Sequence, residues 1–123
     1  MTGLLLFVTR FWLPLSAAQL TLITTLSLLP LSQLPEVSGG DKLHHLLAYC
    51  ALMFPVALRK PAHWVWIGLL FLALSGAIEL LQPLVNRYAQ WSDLFANGLG
   101  LGLGLLVAIV ARRYCLPAPQ VDQ

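Results

Sequence analysis

Charge is what this chain most lacks. Aspartate, glutamate, lysine and arginine make up only 10% of its 123 residues, against about 25% in an ordinary soluble domain. With 59% of the residues hydrophobic and a mean hydropathy of +0.80, that scarcity excludes a soluble globular domain and indicates an integral membrane protein. The net charge of +2 is too small to imply a nucleic-acid partner. Of the two cysteines, Cys50 falls inside an apolar stretch and Cys115 beyond another, so they are expected to be unpaired and to form no metal or redox motif. No G-x-S-x-G or H-E-x-x-H signature of hydrolytic chemistry is present. No internal repeat or second domain is evident, and the chain reads as one domain over 1–123.

What is there is a set of long apolar runs. Uncharged stretches predict spans near 11–29, 43–58, 64–82 and 94–111, each about 24–29 Å long as a helix. These runs predict an all-α, four-helix membrane bundle. The first run is too long for the core of a cleaved signal peptide and reads as an anchor. Arg10, the Arg59-Lys60 pair and the Arg112-Arg113 pair fall on one side, while Lys42 and Arg87 fall on the other, which predicts cytoplasmic termini. Trp12, Trp64, Trp66, Trp91, Tyr88 and Tyr114 lie near span ends, as interfacial aromatics do. Pro55 predicts a kink in the second span and Pro83 the end of the third. The loop 30–40 and the tail after Arg113 read as irregular.

Glu79 stands out because an ionisable group inside an apolar span costs a few kcal/mol unless it is compensated. Helical spacing gathers the other unusual residues into stripes: Asp41, His45 and Tyr49 in the second span; Ser75, Glu79 and Gln82 in the third; Asp93 and Asn97, continued by Gly100, Gly104 and Ala108, in the fourth. A stripe of small residues is how membrane helices approach closely. His45, Glu79 and Asn97 share a depth about 6 Å inside the outer helix ends, so convergence of the stripes would make an outward-facing polar pocket that Lys42, Arg87 and Ser92 would join. Capping accounts for Asp41 and for Ser92-Asp93, which begin helices. It does not account for Glu79, near the C-terminal end of its helix, which is expected to need Lys42, Arg87, a protonated His45 or its own proton.

These residues resemble the VanZ-like family of bacterial membrane proteins. The resemblance rests on D-K-x-x-H-x-x-x-Y at Asp41, Lys42, His45 and Tyr49; E-x-x-Q at Glu79 and Gln82; Arg87; and S-D-x-x-x-N-x-x-G at Ser92, Asp93, Asn97 and Gly100. It implies a small multi-pass helical domain of the cell membrane. The family is named for a protein associated with low-level resistance to the glycopeptide teicoplanin.

The leading functional expectation is a cofactor-free envelope protein whose outer pocket binds a polar headgroup, a lipid-linked wall precursor or a glycopeptide. An enzyme using Glu79 with Asp93 or His45 as acid and base on a lipid-linked substrate is the alternative. A divalent metal on Asp41, His45, Glu79 and Asp93 is less favoured, because caps and ion pairs use the same groups. A small exporter is also less favoured: the first span carries only Gln19 and hydroxyls such as Thr21 and Thr24, not a carboxylate.

Overall fold

The computed structural model describes residues 1–29, 41–87 and 89–117, and at Asp41 the backbone alone. Within them the chain is all helical: α1 (Thr2–Arg10), α2 (Trp12–Leu28), α3 (Asp41–Arg59), α4 (Trp64–Leu81), a 3-10 turn (Gln82–Val85) and α5 (Trp91–Cys115). The loop 30–40, Tyr88 and the end of the tail lie outside the described residues.

The first expected span, 11–29, is the single helix α2. The departure from the four helices expected lies ahead of it: Thr2–Arg10 form a further helix, α1, so the described residues hold five α-helices, and α1 and α2 meet at a 78° bend. Pro14 supplies the physical cause. It has no N–H to donate to the Arg10 carbonyl four residues earlier, and its ring crowds that carbonyl, so the helix breaks at Arg10–Phe11. Pro83 acts in the same way on the Glu79 carbonyl, and α4 tightens into the 3-10 turn, which closes on Asn86 in the left-handed conformation (φ 57°). Pro55 lies inside α3, which nonetheless continues to Arg59.

Among the described residues two stretches are long and apolar enough to cross a membrane, Trp64–Val85 and Trp91–Cys115, and the bent α1–α2 pair makes a third if counted as one span. The 25 residues of α5 extend about 37 Å. The helix α3 does not qualify on composition, for a reason visible in the packing. It touches every other helix, and Leu52, Val56 and Leu58 are fully buried. Its C-terminal half is enclosed by its neighbours and presents little surface to lipid, while its N-terminal half, where Leu43 and Leu47 are exposed, carries the polar residues that lower its hydropathy. Its neighbours turn Leu69, Leu70 and Leu80 of α4 and Leu106, Ile109 and Val110 of α5 outward.

The closest helix contact is α3 against α5. Gly100, Gly104 and Ala108 of α5 are buried against α3. A Cβ built on Gly100 would overlap the Leu46 carbonyl oxygen, and one on Gly104 the Cys50 carbonyl oxygen, whereas Gly102 faces open space. This approach brings the polar ends of α3 and α5 into contact.

Candidate functional site

The polar residues meet where the N-termini of α3 and α5 adjoin the C-terminal end of α4. On α3, the Lys42 ammonium lies 3.2 Å from Asp93 Oδ1 and donates to the Gln90 side-chain oxygen at 3.0 Å. One turn deeper, His45 Nδ1 is 3.0 Å from Asn97 Oδ1, and His45 Nε2 is 3.8 Å from Asp93 Oδ2. Asn97 donates from Nδ2 to the Ser75 hydroxyl of α4 at 2.6 Å. With its amide nitrogen so committed, Asn97 presents its oxygen to His45, which places a proton on Nδ1. The Tyr49 hydroxyl, buried one turn further along α3, faces Ser75. Side chains from α3, α4 and α5 are thus joined through Asp93, His45, Asn97 and Ser75.

Glu79 pairs with none of the cations expected to compensate it. Its side chain is 2% exposed, and among the described residues neither Lys42, His45 nor Arg87 forms an ion pair with it. Its Oε2 accepts the backbone N–H of Gln90 at 3.1 Å. Gln90 is the N-cap residue of α5, so Glu79 caps a helix after all: its neighbour's. The first N–H groups of a helix have no partner within it, and its positive dipole end favours an anion. Asp93, at the third position of α5, has the place from which a carboxylate reaches back to that N–H in a capping box. It is turned to Lys42 and His45 instead, and no side-chain cap forms within α5.

The remaining expected residues divide. Gln82, 2% exposed, donates to the Ser27 carbonyl of α2 at 3.2 Å, and its own Oε1 has no partner among the described residues. Arg87 donates to the Leu26 and Leu29 carbonyls at 3.0 and 3.2 Å, filling acceptors that the end of α2 leaves open. Ser92 is exposed, as is His44. Asp41 begins α3, and its side chain lies outside the described residues. No group of three His, Cys, Asp or Glu side chains suited to a metal occurs among the described residues.

Gln90 is the residue the sequence reading passed over, although its place just before an apolar run marks it as a cap position. Below it, Trp91, Leu94, Phe95 and Gly98 of α5 and Leu69, Leu72, Ala73 and Gly76 of α4 line an open apolar groove of about 750 Å³.

Residues 2–112 match the model of the VanZ/LLP1 family. No curated protein and no solved structure matches the chain.

Proposed function

Since the chain belongs to the VanZ/LLP1 family, and since its apolar helices are those of a membrane protein, we propose that it is a cell-membrane protein whose polar end faces outward and binds the headgroup of a lipid-linked ligand. Both termini are then cytoplasmic, in keeping with the distribution of Lys and Arg. The observation that carries the reading is the position of Lys42. It is anchored to the buried Asp93, yet its side chain stays 52% exposed, at the rim beside the exposed Gln90. A cation held in this way is ready for a phosphate or a carboxylate, and the buried groups beneath it fix the helices that carry it.

The groove between α4 and α5 favours a lipid-linked wall precursor over a free glycopeptide. It starts at Trp91, next to Gln90, and its lining suits a hydrocarbon chain running down from a headgroup at the rim. A contribution to teicoplanin resistance would then act through the precursor. The second reading, acid–base catalysis on the same ligand, draws on one contact: His45 stands between the Asp93 carboxylate and the Asn97 amide.

Native mass spectrometry of the purified protein tests the proposal. A polyprenyl-pyrophosphate-linked precursor should remain bound where the corresponding polyprenyl alcohol does not, and Lys42→Gln should weaken retention. Equal retention of both lipids contradicts headgroup recognition, and a precursor recovered with its pyrophosphate cleaved supports the catalytic reading.

A further inference from the structure

At the opposite end of the helices lies a second cavity, and its chemistry is different. Its volume is about 240 Å³, and it is lined by Lys60, Arg112 and Arg113 around Trp64, with Leu105 and Ile109 continuing along the lipid-facing side of α5. Among the described residues, no carboxylate forms an ion pair with these three cations; both ion pairs there involve Asp93 at the other end. We propose that this cavity binds the phosphate of an anionic phospholipid headgroup.

Four observations support it. Three cations converge on one concave site at the end of apolar helices, where headgroups lie. The Lys60 ammonium sits over the Trp64 ring, 5.8 Å from its centroid, which holds the charge at the mouth without neutralising it. Arg112 donates to the Leu58 carbonyl at 2.8 Å, offsetting the negative end of α3, which would otherwise repel a phosphate there. The volume is below the roughly 300–1,000 Å³ of sites that enclose a whole drug-sized ligand; a headgroup fits, and its acyl chains pass along Leu105 and Ile109.

The backbone at Lys60 adds a further sign. Lys60 has φ 53°, directly after the end of α3. Glycine is the usual residue in that left-handed position, and a side chain there carries a local cost. The chain keeps a lysine where the backbone alone favours glycine. Lys60→Gly is therefore a clean probe, because it removes the cation while relaxing the backbone.

The test is native mass spectrometry of the full chain released from detergent with phosphatidylglycerol, phosphatidylethanolamine or millimolar inorganic phosphate. Wild type should retain phosphatidylglycerol over phosphatidylethanolamine. Lys60→Gly and Arg113→Gln should each lower its affinity about fivefold, the ~1 kcal/mol a basic side chain contributes at an anionic membrane surface. Arg10→Gln, outside the cavity lining, should leave it unchanged. Unaltered affinity in the Lys60→Gly, Arg113→Gln double variant overturns the proposal, as does an equal loss in Arg10→Gln. Competition by inorganic phosphate at the same affinity overturns the lipid assignment and makes the site one for free phosphate.

Discussion

Glu79 of α4 accepts the backbone N–H of Gln90 at 3.1 Å, so the carboxylate near the end of one helix closes the start of the next. The antiparallel turn between α4 and α5 makes this possible, since it sets the C-terminal end of the first beside the N-terminus of the second. Glu79→Gln keeps an oxygen able to accept that N–H, and only the charge–dipole part is lost, about 0.3–1 kcal/mol. Glu79→Ala loses the cap as well and should cost about 1–2 kcal/mol. Thermal unfolding in detergent should rank them wild type, Gln, Ala; Ala equal to Gln would mean that the hydrogen bond contributes nothing.

Arg87 and Glu79 should behave independently. Arg87 is committed to carbonyls of α2, so the double variant Glu79→Gln, Arg87→Gln should destabilise by the sum of the single effects to within about 0.5 kcal/mol. Lys42 and Asp93, in direct contact at 3.2 Å, should show the larger coupling in a matching cycle. Strong coupling between Arg87 and Glu79 would contradict the arrangement.

Asn97 links His45 to Ser75, and replacing it with leucine strips both of a partner. In water such a loss costs about 1–3 kcal/mol, but hydrogen bonds between membrane helices average nearer 0.6 and reach about 1.7. A loss of about 1–2 kcal/mol is expected, and Ser75→Ala should add little in the Asn97→Leu background. Full additivity of the two changes would show that the Asn97–Ser75 bond is not formed.

The contact of α5 with α3 leaves no room at Gly100. Gly100→Ala should destabilise by about 1–3 kcal/mol, as overpacking does, while Gly102→Ala should be neutral or stabilising by up to about 1 kcal/mol, because alanine is the better helix former. Melting temperatures in detergent decide between them. Equal effects would place the two glycines in similar surroundings.

How much of this was legible in the sequence follows from what each feature depends on. Periodicity marks the faces: Asp93, Asn97, Gly100, Gly104 and Ala108 recur at helical spacing, and in the structure all are buried on α5. The bend between α1 and α2 had a signal in Pro14, four residues beyond the carbonyl it leaves free, but the apolar run hides it. The partners of Glu79 and Arg87 left no trace in side-chain pattern. Both bind backbone groups at helix ends, and any residue supplies those.

Orientation is tested separately. In a background lacking Cys50 and Cys115, a cysteine at Ala89 should be labelled by an impermeant reagent in intact cells and one at Ala62 protected. Both positions are exposed, so accessibility alone does not separate them. The reverse pattern would invert the protein in the membrane.

The most direct measurement is photo-cross-linking in living cells. A photoreactive amino acid at Trp91, where the rim of the polar end meets the apolar groove, should capture a polyprenyl-linked lipid, and Lys42→Gln in the same chain should reduce the yield severalfold. The same probe at Tyr114, exposed at the other end, should capture none. Equal capture at both positions, or capture at Trp91 indifferent to Lys42, would contradict a headgroup site at the polar end.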